Sequence, residues 1–254
     1  RLMVLLLTFG SLTQSGFAQT TTQIGTGALS SYFYGPVYRS SAGSTFDWSR
    51  YSYLYTATEL STAGIPSGAT IVGIEWFKNS TFSISSTGNA SFNMYMKNSA
   101  TTAYPASNTW AALTTGATLV NTRIFNNTAA YPAIPGNFPT VTGWMNFPIT
   151  PFVYNGSSLE ILTDFDISAV TGNPSNGVFN FLYGATTPNQ TLGVGSGTAN
   201  PLTLTQTSYG GANRPNIRII WLAGAADDLG LQLPANPIGA TICNGASTTV
   251  DITL

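Results

Sequence analysis

Phe92-Asn93-Met94-Tyr95-Met96-Lys97 sets apolar against more polar side chains in strict alternation. Successive residues of a strand point to opposite faces, so Phe92, Met94 and Met96 share one face and rest on a core. The same period recurs in both directions along the chain. Val72, Ile74 and Trp76 oppose Gly73, Glu75 and Phe77, and Ile217, Ile219 and Trp221 oppose Arg218. Val250, Ile252 and Leu254 oppose Asp251 and Thr253. Strand-forming runs also lie at 51–55, 118–125, 144–147, 159–163, 178–183 and 202–205. Turn signals separate them: Gly88-Asn89, Pro135-Gly136, Asn155-Gly156, Gly172-Asn173-Pro174 and Gly210-Gly211. Helical periodicity is nearly absent. Many short strands so punctuated predict an all-β sandwich or barrel, and of these we expect a jelly-roll-like antiparallel β-sandwich over residues 19–222.

One short helix is legible. Thr56 is its N-cap, Glu59 stands three residues on as a capping-box partner, and Gly64 ends it. It is expected to cover one end of the sandwich. After Trp221 the composition shifts to small residues, and residues 223–226 read as a linker. Residues 227–254 restart a strand pattern with room for about three strands, fewer than a closed sandwich needs. They are expected to be the start of a truncated Ig-like or CARDB-like domain. At the other end, residues 2–9 form an apolar run behind Arg1, and Gly16-Phe17-Ala18 leads out of it with small residues. The run is shorter than the roughly 20 residues that span a membrane. Its length and its exit predict a signal peptide over 1–18 and a mature chain beginning at Gln19. The expected location is therefore extracellular, secreted or at the cell surface, and not integral to the membrane.

Composition narrows the function. Charged residues make up 7% of the chain, with eight Lys and Arg against nine Asp and Glu. A surface this close to neutral does not steer polyanions, so no nucleic-acid partner is expected. Histidine is absent, which removes Ser-His-Asp and Cys-His mechanisms and a histidine zinc site. Cys243 is the single cysteine. It is either a buried thiol or one that calls for a partner outside these residues. A carboxylate pair is the remaining catalytic option, with Glu75, Glu160, Asp164 and Asp166 as its candidates. Glu75 and Glu160 alternate with hydrophobic residues, which reads more simply as the solvent face of half-buried strands. The chain is not expected to be an enzyme.

Two binding features remain. Asp164-Phe165-Asp166 points two carboxylates to one side at a strand end, a hint of calcium and the only cofactor the sequence raises. The aromatic segment with Tyr32, Phe33, Tyr34, Tyr38, Phe46 and Trp48 precedes the first clear strand. Tyr32, Tyr34, Tyr38 and Trp48 are its candidate ligand-binding residues, for an extracellular glycan or a protein surface. The competing account is that these rings pack over the sandwich as a flap, since exposed aromatic patches are uncommon.

Several phrases resemble one group of secreted multidomain surface proteins and hydrolases of Bacteroidota, many exported by type IX secretion. They are Ile24-Gly25-Thr26-Gly27, Tyr53-Leu54-Tyr55-Thr56-Ala57-Thr58-Glu59-Leu60, and Phe92-x-Met94-x-Met96-Lys97-Asn98. Gly143-Trp144-x-x-Phe147 followed by Pro151-Phe152-Val153-Tyr154-Asn155-Gly156, and Arg214-Pro215-Asn216-Ile217-Arg218, complete the set. In that group a domain of this kind follows the signal peptide, and fibronectin type III, Ig-like or CARDB-like modules come next. Relatives often carry a cysteine in the strand where Leu162-Thr163 stand here, so no disulfide is expected. The resemblance implies a non-catalytic adhesion or ligand-binding module of a larger exported protein. A carbohydrate-binding accessory domain of a secreted hydrolase and a purely structural spacer are its alternatives.

Overall fold

A computed structural model of the chain describes residues 19–38, 47–81, 88–126, 141–169, 178–186, 189–207 and 209–223. The expected signal peptide, Phe46, Cys243 and the expected second domain lie outside the described residues. Within them the protein is all-β: two seven-stranded antiparallel sheets with two short helices.

The first sheet takes β1 (Gln19–Ile24), β2 (Leu29–Ser31), β4 (Thr70–Lys78), β8 (Gly143–Val153), β10 (Phe181–Ala185), β13 (Asn213–Pro215) and β14 (Ile217–Leu222). Its spine runs β1-β14-β4-β10-β13, with β8 also on β4 and β2 also on β10. The second sheet runs in the order β6 (Ser107–Thr109), β12 (Thr203–Thr205), β11 (Thr191–Ser196), β3 (Trp48–Tyr55), β9 (Ser158–Asp166), β5 (Ala90–Ser99), β7 (Thr118–Phe125). Neighbours in sequence are seldom neighbours in a sheet, so nearly every pairing is long-range.

The core lies between the sheets. Ile74, Trp76, Phe147, Ile217 and Ile219 from the first meet Tyr51, Tyr53, Phe92, Met94, Ile161 and Phe165 from the second. Rings interlock across the gap: Tyr53 and Trp76 at 6.3 Å between centroids, Phe92 and Phe147 at 4.9 Å. The alternation in Phe92–Lys97 holds: Phe92, Met94 and Met96 are buried, while Asn93, Tyr95 and Lys97 are half-buried. In β4 the expected set needs a correction. Gly73 pairs with Ile220 of β14 and Ile71 with its neighbour Trp221, so against β14 Val72 is an extra residue in the strand. Ile71, not Val72, is fully buried ahead of Ile74 and Trp76. A bulge of this kind breaks the period of two that the sequence reading assumed.

α1 (Ala57–Thr62) forms where expected. The Thr56 hydroxyl accepts from Glu59 N at 3.3 Å, and the helix buries Leu60 in the core at one end of the sandwich. α2 (Trp110–Thr114) was not anticipated; Thr109 caps it, accepting from Ala112 N at 3.2 Å. It packs on the outer side of the second sheet, together with Tyr104 and β12. Tyr104, Leu113 and Leu204 close there over Leu54, Leu162 and Leu192.

Candidate ligand-binding site at the sheet fork

β1 follows β14 as far as the pair Ile24 and Ile217. At Gly25 (φ +86°) the chain turns away, and β2 pairs with β10 instead. β10 also pairs with β13. The sheet therefore forks, and β10 fills the gap between β2 and β13. Asn216 pins the fork. Its backbone N–H donates to Leu182 O at 2.9 Å. Its side chain takes both polar groups of Gly27, accepting from Gly27 N at 3.1 Å and donating to Gly27 O at 2.7 Å.

A cavity of about 580 Å³ opens at this fork, beside the start of α1. One wall is Gly25, Thr26 and Gly27; another is Gly184, Ala185 and Thr186 at the end of β10. Thr56, Thr58 and Glu59 come from α1, and Gln190, Arg214 and Pro215 form the floor.

Arg214 organises that floor. It is 4% exposed, and its guanidinium lies over the Tyr55 ring at 3.9 Å. Nη1 donates to Leu54 O, to Glu59 Oε2 at 3.1 Å and to Gln190 Oε1 at 3.3 Å. Nη2 donates to Glu59 Oε1. The two-pronged pair with Glu59 fixes α1 against β13 and leaves the cavity with balanced charge. Burial pushes the Tyr55 hydroxyl above its ordinary range, with the nearby Arg214 charge pulling the other way. Gln190 is 6% exposed, and its backbone carbonyl accepts from Leu54 N at 2.9 Å. Its side-chain oxygen is held by Arg214, and its Nε2 donates to no group among the described residues.

No family model matches the chain, and neither a curated protein nor a solved structure matches it. Function is therefore read from the site alone. Three of the phrases on which the resemblance rests meet at this cavity: Ile24–Gly27, Tyr53–Leu60 and Arg214–Arg218. They are far apart in the chain and are brought together only by the fork.

The candidate residues named from the sequence lie elsewhere. Tyr32, Phe33 and Tyr38 cluster with Tyr209: Tyr32 and Tyr38 at 5.3 Å, Tyr38 and Tyr209 at 5.7 Å. Tyr34 packs on Tyr183 at 4.6 Å, and its carbonyl accepts from the Tyr53 hydroxyl at 3.0 Å. Tyr38 is buried and the others are half-buried. Trp48 stands apart from them at the start of β3, opposite Asp166 and Ser196. Asp164 and Asp166 do not converge on one point. Asp164 forms a two-pronged pair with Arg50 at 3.0 and 3.2 Å. Asp166 accepts from the Ser168 backbone N and hydroxyl at 2.8 and 2.6 Å. No group of three or more His, Cys, Asp or Glu that could hold a metal exists among the described residues.

Glu75 and Glu160 belong to opposite sheets, and each points away from the shared core. Glu75 lies 3.7 Å from Arg218, whose guanidinium covers the Trp144 ring at 4.0 Å. Glu160 is buried beneath the second sheet's cover, where it accepts from the Tyr104 hydroxyl at 2.9 Å and faces Lys97 at 3.5 Å. The whole sandwich separates the two, so they are not a carboxylate pair of glycosidase spacing. The sequence reading missed Gln190 and gave Arg214 no role. A glutamine in an Asn- and Thr-rich segment carries no signal, because its burial comes from strands that are distant in sequence.

Proposed function

We propose that this domain is a non-catalytic ligand-binding module of an exported, extracellular protein, and that the fork cavity is its binding site. The observation that carries the reading is the cavity itself: about 580 Å³, lined by Gln190, Arg214, Glu59 and threonine side chains that can hydrogen-bond a ligand. Gln190 Nε2 donates to no group among the described residues and can donate to a molecule in the cavity in place of water. The cavity volume falls in the usual range of small-ligand sites. The leader-like stretch at 1–18, the sparse charge and the resemblance to exported surface proteins agree with an extracellular setting.

The test is a melting-temperature screen of the full chain against neutral and charged oligosaccharides, short peptides and common metabolites. Binding by at least one class, weakened in Gln190→Glu, is expected. Silence across every class would leave the spacer role and end the binding reading.

A further inference from the structure

We infer that the fork cavity takes the end of an uncharged saccharide; this inference rests on the binding-module reading above and names its ligand class. Charge comes first. Arg214 and Glu59 cancel inside the cavity, and the guanidinium already serves Glu59, Leu54 O and Gln190. An anion would face the Glu59 carboxylate without a free arginine fork to receive it. A cation would face Arg214, and among the described residues no aromatic ring lines the cavity to compensate.

An apolar ligand finds little either. Among the described residues, Ala185 and Pro215 are the only aliphatic side chains on the lining. What the cavity offers is donors and acceptors side by side. Gln190 Nε2 donates from the floor, Glu59 keeps acceptor capacity beyond its two bonds to Arg214, and the exposed Thr26 and Thr58 hydroxyls do both at the rim. A sugar hydroxyl also both donates and accepts. A run of them on one ring can satisfy the glutamine and the carboxylate together without adding charge.

The test uses the full chain and three sets of immobilised oligosaccharides. One is neutral (glucose, mannose, xylose and N-acetylglucosamine oligomers), one anionic (uronic-acid and sulfated oligomers) and one cationic (glucosamine oligomers). Binding to the neutral set is expected. Gln190→Glu keeps an acceptor for Arg214 and removes the donor, so it is expected to weaken binding about tenfold, roughly the weight of one buried hydrogen bond. Thr58→Val, at the exposed rim, is a second variant that spares the floor, and a loss of binding is expected there too. Binding confined to a charged set would overturn the inference and leave the module reading standing. Neutral binding indifferent to both variants, with melting temperatures unchanged, would place the ligand elsewhere and overturn it as well. Silence of all three sets overturns this inference, and only silence of peptides and metabolites too overturns the module.

Discussion

A methyl group on Gly27 would meet Tyr183 O at 1.9 Å and the Gly184 Cα at 2.4 Å. Those are backbone atoms, which cannot swing aside as the end of a flexible side chain can. The segment between β1 and β2 touches β10 here because neither Gly27 nor Gly184 carries a side chain. Gly27→Ala is therefore expected to destabilise the protein by about 1–3 kcal/mol and to spread the fork. A urea midpoint unchanged from wild type would contradict this. Asn216 is the partner of that contact, since its amide holds both polar groups of Gly27. Arg214 acts at the same scale. One buried cation satisfies a strand carbonyl, a helix carboxylate and a floor amide, and without it the carboxylate and amide lose their common partner.

At the scale of elements, α1 is too short to hold itself together. Six residues give few internal hydrogen bonds, and an isolated helix of that length is not stable in water. Three attachments hold it: the Thr56 cap, Leu60 in the core and Glu59 on Arg214. Thr56→Ala is expected to cost about 1 kcal/mol, the usual weight of a lost N-cap. Because α1 supplies a cavity wall, the variant should also raise hydrogen exchange at residues 57–62 before the sheets open. Equal exchange in both proteins would show that core packing alone sets α1. β4 carries the opposite lesson. It is long, central and well packed, yet a single extra residue at Val72 against β14 changes which side chains reach the core.

At the scale of the whole molecule, the sandwich buries ionisable groups whose titration gives its stability a distinct pH profile. Lys78 is fully buried on β4, donates to Ser80 O and lies 5.9 Å from the Phe179 ring. Burial pushes its amine down from 10.5 to about 8. In the window from about 8 to 10.5 the unfolded chain binds the proton and the folded chain does not. Stability must then rise with pH across that window, by about 1–3 kcal/mol if fully developed. The buried tyrosines act in the other direction. Burial raises Tyr51, Tyr53 and Tyr104 well above 10.0, so the folded state keeps protons that the unfolded state loses. Stability present below pH 10 is lost above it. Urea midpoints from pH 7 to 11 should climb from 8 and fall beyond about 10, and Lys78→Met should flatten the climb while leaving the fall. A midpoint that drops steadily from pH 8 would contradict the burial of the lysine.

The sequence by itself determined the all-β class, the inward faces of β5 and β14, and the capped helix after Thr56. These depend on neighbours two to four residues apart, where alternation and capping act. Tertiary structure alone decided the bulge at Val72, the forked first sheet and the second small core that buries Glu160. It also decided the meeting of Gly27, Glu59, Gln190 and Arg214 in one cavity. Each of these depends on segments that are not neighbours in sequence, and local periodicity carries no information about which distant strand a strand will pair with.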